Sequence, residues 1–234
     1  GVLIAATKVS TDDLWGLSGR DRSVLYTVAA NTGLRASELA SLTPESFDLD
    51  SAMPTVRCLA GYTKNGEEAV LPLRADVGAT LREHLSGKAP GQRIWPGSWG
   101  RTRAGAKMMK ADLDHAREVW VKAGKSDEEK EARREDLSFL QYLDASGRHA
   151  DFHSLRHTFI SNLARSGVHP KVAQTLARHS TIDLTMNVYT HTVIGDLAEA
   201  VERLPALATE KEEADALAAT GTDGRSEAPS KRRT

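Results

Sequence analysis

The 234-residue sequence predicts a mainly α-helical fold with one small antiparallel β-sheet, which places it in the α+β class. Apolar residues recur at spacings of three and four along much of the chain, the period of amphipathic helices. Residues 55–59 and 69–73 read as short strands, and Asn65-Gly66 between them favours a tight turn flanked by further strand residues. We therefore expect one folded domain, residues 1–204, with a single β-hairpin.

In the first half of the chain, stop signals separate the predicted elements. The apolar run 1–6 is interpreted as a strand or linker end, because no basic residues precede it as in a signal peptide. Thr32-Gly33 and Thr43-Pro44 are typical helix ends, since glycine accepts a left-handed backbone and the residue before proline avoids the helical region. Helices are predicted over three ranges of this half: 21–31, 36–42 and 75–85.

The second half is predicted to be almost entirely helical. Segment 87–103 is rich in Gly, Pro and Trp and is expected to be a loop. The charge run 125–135 indicates an exposed helix or loop, and 139–143 is a candidate strand. Helices are expected over 104–123, 153–166, 170–178, 182–190 and 196–204. The remainder, 205–234, has the composition of a disordered tail.

Composition limits the classes of function. No stretch approaches the roughly 18 apolar residues that a membrane span needs. Cys58 is the single cysteine, which excludes an internal disulfide and fits a reducing cytoplasm. A net charge of −1 argues mildly against nucleic-acid binding. However, the stretch from Lys88 to Lys110 carries six basic residues and no acidic one, so a local basic surface is available.

Six of the eight histidines lie between positions 149 and 191. His153 and His157 are four apart, as two zinc ligands on a helix would be, but Ser154 stands where a zinc protease carries its general-base Glu. A His followed three residues later by Arg, at a helix N-terminus, suits phosphate better. Metal-free phosphate chemistry needs arginine forks, a nucleophile such as a Tyr hydroxyl, and a proton donor for the leaving oxygen. The chain offers a candidate for each role.

Four motifs follow one another in order. They are Thr-Gly-Leu-Arg-Ala-Ser-Glu-Leu at 32–39, Tyr-Thr-Lys-Asn-Gly at 62–66, His-Ser-Leu-Arg-His-Thr at 153–158, and Leu-Ala-Arg-His-Ser at 176–180 followed by Tyr189. This order and spacing resemble the tyrosine recombinases, the integrase family of site-specific DNA recombinases. The resemblance covers roughly residues 10–204 and implies the catalytic-domain fold of that DNA breaking-rejoining family.

The resemblance also implies a role for each matching residue. Arg35 and Arg156 would hold the scissile phosphate, and Tyr189 would attack it to give a 3′-phosphotyrosine. Lys64 would protonate the leaving oxygen, His153 would assist proton transfer from Tyr189, and His179 would donate a hydrogen bond to the phosphate. Glu38 would orient the site, whereas His157 is interpreted as structural. No metal, ATP or other cofactor is expected, and Lys64 and Tyr189 are expected to be displaced without DNA.

Further DNA contacts are predicted at basic residues other than those given catalytic roles. The candidates are the basic residues Arg101, Arg103, Lys107, Lys110 and Arg178. Arg178 stands where many relatives have Gly, and it is interpreted as a possible extra phosphate contact. The long segment 125–147 has no assigned role.

The resemblance implies double-stranded DNA as partner and a tetramer on DNA formed from free monomers. It predicts location in the cytoplasm of a bacterium or phage host, near the nucleoid, and no membrane partner. The N-terminal helical domain with which the family surrounds DNA is not recognised in this sequence. Three alternatives stay open: a type IB topoisomerase-like enzyme, an inactive DNA-binding relative, and a nuclease.

Overall fold

The computed structural model describes residues 1–100 and 104–193, and side chains up to residue 190; residues 1–194 form one compact unit. The helices of this part are α1 Val2–Lys8, α2 Gly19–Thr32, α3 Ala36–Leu39, α4 Ala75–Leu85, α5 Ala104–Lys122, α6 Asp127–Glu135, α7 Ser154–Arg165, α8 Pro170–Ala177 and α9 Asp183–Val193. The strands are β1 Phe47–Asp48, β2 Thr55–Cys58 and β3 Ala69–Pro72. The predicted class, mainly helical with a small antiparallel sheet, is confirmed.

The sheet has the order β1-β2-β3, and both strand pairs are antiparallel. Val56 pairs with Leu71, and Cys58 with Ala69. All four of these side chains are buried, as expected of a sheet with one face on the core. Residues between β2 and β3 do not continue the strands: Ala60–Tyr62 forms a 3₁₀ turn, and Gly66 turns the chain with φ of 70°. The prediction of further strand residues beside Asn65-Gly66 was therefore wrong.

Hydrophobic residues form two clusters. The larger joins α2, the sheet, α4 and α5, and it includes Ile94, Trp95 and Trp99 from the predicted loop, all at 0% exposure. That segment has no helix or strand up to residue 100, but its large side chains fill the core. The smaller cluster comes from α7, α8 and α9 and consists of Phe159, Ile160, Ala164, Ala173, Ala177 and Tyr189.

Two further predictions of secondary structure were wrong. The apolar N-terminus forms helix α1, not a strand, and it packs on α2 and α5 with Ala6 and Thr7 buried. The candidate strand 139–143 does not form, because Leu140 adopts a left-handed backbone with φ of 55° and so interrupts an extended chain. Only an isolated bridge between Leu143 and His149 remains there.

Segment 125–147, which has no predicted role, folds beside α5. Helix α6 lies within it and has no buried residue, as the charge run indicates. The Arg133 guanidinium lies 5.1 Å from the ring centre of Trp120, and Phe139 packs edge-on against the same ring at 4.8 Å. Among the described residues, no helix combines the length and the apolar character needed to cross a bilayer. Helix 196–204, tail 205–234, Arg101 and Arg103 lie outside the described residues.

Candidate active site

Arg35 is placed by the turn that ends α2. Gly33 closes that helix with φ of 64°, and a Cβ at this position would lie 2.6 Å from the ring of Phe159 on α7. Glycine is thus required both for the turn and for the close approach of α7. Arg35 then precedes α3, where its backbone N–H donates to Glu38 Oε2 at 2.8 Å and its Nη1 donates to Oε1 at 3.1 Å.

Arg156 lies on the first turn of α7 and is only 3% exposed. Its Nη1 donates to the Gly33 carbonyl at 2.5 Å, and its Nη2 donates to the Ala177 carbonyl. The guanidinium therefore joins the end of α2 to the end of α8. Burial, and then the charges of Arg35 and Arg178, lower the pKa of Arg156 to about 10. The side chain stays cationic at neutral pH.

Glu38 is the carboxylate that Arg35 and Arg178 share. It is fully buried and accepts a hydrogen bond from Arg178 Nη2 at 2.5 Å in addition to those from Arg35. Burial alone would raise the pKa of Glu38, but the hydrogen bonds and charges of Arg178 and Arg35 outweigh it and hold the pKa below its usual range. Three guanidiniums thus meet near one carboxylate, so this part of the site is cationic and suited to an anion.

His179 lies beside the arginines at the end of α8. Burial, and then the charges of Arg156 and Arg35, lower the pKa of His179 to about 4, so the ring is neutral at physiological pH. Its Nδ1 is 2.9 Å from the hydroxyl oxygen of Thr185, which is fully buried on α9. Because the Thr185 hydroxyl is hydrogen-bonded to Nδ1 of His179, Nε2 of the same ring is left to face a ligand. Sequence reasoning missed Thr185, although its spacing of four from Tyr189 places both on one helix face.

His153 immediately precedes α7 and remains largely exposed. Its ring makes an edge contact with that of His157, at 5.1 Å between centres. Partial burial is the main cause that holds the pKa of His153 below its usual range, and the positive charges of His157 and Arg156 add to it. Both histidines line a groove of about 920 Å³ that reaches Asn187 and Val188, next to Tyr189. Among the side chains of residues 1–100 and 104–190, no three from His, Cys, Asp or Glu are grouped to hold a metal.

Tyr189 and Lys64 are not in contact with the arginines. Tyr189 is 7% exposed in the smaller hydrophobic cluster, and its hydroxyl donates to the Val168 carbonyl at 2.7 Å. Burial raises the pKa of this phenol. Lys64 is exposed on the loop between β2 and β3. The same loop contributes Asn65, Glu67 and Glu68 to a cleft of about 330 Å³ whose opposite wall includes Arg178 and His179.

Three of the predicted DNA contacts, Lys107, Lys110 and Arg178, lie in the described part of the chain. Lys107 is exposed on α5, and Lys110 on the same helix pairs with Asp114 at 2.6 Å. Arg178 is directed at Glu38 and its side chain is 13% exposed, so it faces the interior of the site.

Residues 10–194 match the model of the phage integrase family. The tyrosine recombinase XerC of Xanthomonas campestris pv. campestris is 29% identical over 198 residues, which cover 84% of this chain and 51% of that protein. The transposase from transposon Tn916 of Enterococcus faecalis is 24% identical over 193 residues, which cover 76% and 44% respectively. The chain thus spans about half the length of the curated relatives it matches.

Solved structures agree in fold. The integrase of transposon Tn1549, in complex with circular intermediate DNA, aligns with a TM-score of 0.57 at 17% identity, covering 87% of this chain and 64% of that one. The catalytic domain of bacteriophage HP1 integrase aligns with a TM-score of 0.52 at 20% identity, covering 87% and 89%. The predicted recombinase catalytic-domain fold is therefore confirmed. The chain belongs to the phage integrase family, the tyrosine recombinases.

Proposed function

We propose that this chain cleaves and rejoins DNA strands as the catalytic part of a site-specific recombinase. The observation that carries the proposal is the grouping of three arginines: Arg35 and Arg178 are hydrogen-bonded to Glu38, and the buried charge of Arg156 lies near them, with neutral His179 beside them. Paired arginine forks match the non-bridging oxygens of a phosphodiester and stabilise the charge that develops in its transition state. The names of its relatives, an XerC recombinase and a transposon transposase, support the same function.

In the proposed reaction the Tyr189 oxygen attacks phosphorus while Arg35 and Arg156 hold the non-bridging oxygens. The Tyr189–phosphorus bond forms as the phosphorus–O5′ bond breaks, and Lys64 supplies the proton that O5′ requires. His153 accepts the proton that Tyr189 loses. A 5′-hydroxyl from another strand then attacks the 3′-phosphotyrosine and releases Tyr189. The phosphodiester energy is kept in the intermediate, so the exchange needs no ATP.

The free protein is not arranged for this attack, because the Tyr189 hydroxyl donates to the Val168 carbonyl and is buried. Binding of DNA must therefore release Tyr189 from Val168 and bring Lys64, on its exposed loop, to the phosphate. Catalytic hydrogen bonds often form only in the substrate complex, so the free geometry is compatible with both roles.

The proposal is tested with a DNA substrate that contains a candidate site and a nick beside it. After cleavage the short fragment between the nick and the cleaved bond diffuses away, so that its 5′-hydroxyl cannot reverse the reaction and the covalent complex accumulates. The wild-type chain should give a protease-sensitive protein–DNA adduct, with or without EDTA. Tyr189→Phe should give none while its DNA affinity stays within about threefold, because only the nucleophilic oxygen is lost. Tyr142→Phe, another tyrosine of the same domain, is the matched control. Adduct formation by Tyr189→Phe would contradict the mechanism.

We also propose a tetramer on DNA, formed from monomers in the bacterial cytoplasm. Its support is the sequence of 196–204, where the spacing of Leu197, Ala200, Val201 and Leu204 predicts an apolar stripe on a helix that would be too short to be stable alone.

Removing 196–234 should impair recombination more than DNA binding, whereas removing only 209–234 should do little. Strand exchange and gel-shift assays of both truncations measure this difference. Equal loss from the two truncations would assign the effect to the polar tail and contradict the proposal.

A further inference from the structure

Arg178 occupies a backbone position that favours glycine. It follows the last residue of α8 with φ of 53° and ψ of 44°, in the left-handed region where a Cβ atom is crowded by the neighbouring carbonyl. Non-glycine residues persist in such conformations when the surrounding structure compensates for the strain, and they are enriched at functional sites. The contacts of the Arg178 side chain are therefore informative.

The side chain reaches across the fold to Glu38, 140 positions earlier, and donates from Nη2 to Oε2 at 2.5 Å. The exposed fractions of the two side chains are 13% and 0%. The same carboxylate accepts both the backbone N–H and Nη1 of Arg35. Glu38 is thus held from one side by Arg178, and it holds Arg35 on the other.

A comparison with Arg22 shows that the hydrogen bonding of Arg178 differs from that of an arginine in a purely structural buried ion pair. Arg22 is fully buried, and its Nε, Nη1 and Nη2 all donate to Asp112 or to other acceptors of the core. In Arg178, Nε is buried without a hydrogen-bond partner among the described residues. A side chain that served only stability would be expected to satisfy this donor. Arg178 also lines, with His179, the cleft that faces the β2–β3 loop.

We propose that Arg178 is a positioning residue of the phosphate site, which fixes the Arg35 guanidinium for DNA cleavage by restraining Glu38. The inference rests on the proposed function of the site. It assigns Arg178 to the orientation of another arginine and not to direct contact with DNA, because the guanidinium is directed at Glu38 and is largely withdrawn from solvent. Loss of Arg178 should then slow cleavage while DNA affinity is nearly unchanged.

Charges around Glu38 give the proposal a pH signature. The groups that face this carboxylate are Arg35 before α3, Arg178 after α8, Arg156 on α7 and the Cys58 thiol on β2. The hydrogen bond from Arg178 is the foremost of the contacts that lower the pKa of Glu38 against the effect of burial. Without it, the Glu38 pKa should rise, and cleavage should be lost at a higher pH as the solution is acidified. A change confined to packing would not move this limb of the pH profile.

The central variant is Arg178→Gly, which suits the left-handed backbone and so should fold. Its rate of covalent adduct formation should fall roughly 10- to 100-fold, the usual effect of removing a group that orients a site residue. Its DNA affinity should stay within about threefold. Arg178→Lys should recover part of the rate, because an ammonium can replace the single charged donor that reaches Glu38. Arg165→Ala, which removes an exposed arginine of α7, is the matched control and should behave as wild type.

A double-mutant cycle with Glu38→Gln separates the two possible routes of action. If Arg178 acts through Glu38, the double variant should be about as slow as the slower single variant. The proposal would be overturned if the rate effects of the two substitutions multiply in the double variant, or if Arg178→Gly cleaves at the wild-type rate. It would also be overturned if Arg178→Gly loses DNA affinity but cleaves bound DNA as fast as the wild type. Thermal unfolding of every variant checks the fold.

A titration of the Glu38 carboxyl by ¹³C NMR keeps this inference separate from the proposed function. It needs no DNA cleavage. The Glu38 pKa should be higher in Arg178→Gly than in the wild type, and an unchanged pKa would overturn the inference. Absence of any adduct with the wild-type chain would instead contradict the proposed function, and the titration would still decide the role of Arg178.

Discussion

The guanidinium of Arg156 is hydrogen-bonded to two backbone carbonyls, those of Gly33 and Ala177, although it is almost fully buried. Carbonyl groups satisfy its donors without neutralising its charge. A full positive charge is therefore kept within the site, near Arg35 and Arg178. The same two hydrogen bonds make Arg156, in the third motif, a structural link between the first motif and the fourth.

Arg156→Ala should consequently affect both cleavage and stability. We expect a loss of about 3 kcal/mol or more in transition-state stabilisation, and a loss of about 1–3 kcal/mol in unfolding free energy from carbonyls left unpaired. Arg156→Lys should recover little cleavage, because an ammonium cannot reproduce the planar fork. Single-turnover cleavage and urea unfolding measure the two effects, with Arg165→Lys on the same helix as control. Near-wild-type cleavage by Arg156→Lys would contradict the assigned role.

Side-chain motifs in the sequence predict the arginines, the histidines and Tyr189 as site residues, because each proposed role needs a particular functional group at a characteristic spacing. Their partners were harder to predict. The carbonyl of Val168, which accepts the Tyr189 hydroxyl, belongs to the backbone and has no side-chain pattern. The pairing of Arg178 with Glu38 depends on the tertiary fold, since the two lie 140 positions apart.

At the scale of elements, Arg117 holds α6 beside α5. Its guanidinium donates to the carbonyls of Arg133, Arg134, Asp136 and Phe139, at and beyond the C-terminal end of α6. The last carbonyls of a helix have no partners within it, so an external cation satisfies them and also interacts favourably with the helix dipole. Helix α6 has no buried residues, and these contacts are therefore a main part of its attachment.

Arg117→Ala should loosen residues 127–139 without unfolding the domain. We expect the free energy of local opening to fall by about 2 kcal/mol, from several hydrogen bonds lost to a charged donor. Hydrogen exchange measured by mass spectrometry should quicken in peptides of this segment and stay unchanged in α7. Lys122→Ala, an exposed position on the same helix, is the control. Equal exchange in both variants would show that Arg117 does not hold α6.

Element prediction succeeded where local pattern and packing agree. Helices α7 and α8 lie within about a residue of their predicted bounds, because Gly167 and Pro170 mark a stop and a start. It was wrong for the N-terminus, where Val2, Leu3 and Ile4 favour a strand by residue type but pack as a helix on α2 and α5. Tertiary contacts there outweigh local preference, and no sequence period indicates them.

At the scale of the domain, a buried ion pair connects α2 to α5. Arg22 on α2 and Asp112 on α5 are 0% and 1% exposed, and Nε of the arginine lies 2.9 Å from the carboxylate. The hydroxyl of Tyr26 donates to the same carboxylate at 2.6 Å. Burial, and then the charge of Asp112, raise the pKa of Tyr26 and keep this phenol protonated.

Asp112→Ala should lower the unfolding free energy of the domain by about 3–5 kcal/mol, because it leaves the Arg22 charge buried without its counterion. Asp114→Ala is the matched control: Asp114 is on the same helix and also pairs with a cation, Lys110, but both side chains are exposed. Its effect should be within about 0.5 kcal/mol. Urea unfolding followed by tryptophan fluorescence measures both. Similar stability of the two variants would contradict the structural role of the pair.

The long-range hydrogen bonds of Arg156 and Arg178 also determine the stage of protein synthesis at which the anion site can form. Arg156 binds a carbonyl 123 positions earlier in the chain, and Arg178 binds a carboxylate 140 positions earlier. Contacts of such high sequence separation form late in folding, because loop closure must precede them. A nascent chain that carries Arg35 and Glu38 but has not yet released residue 178 from the ribosome cannot assemble the anion site.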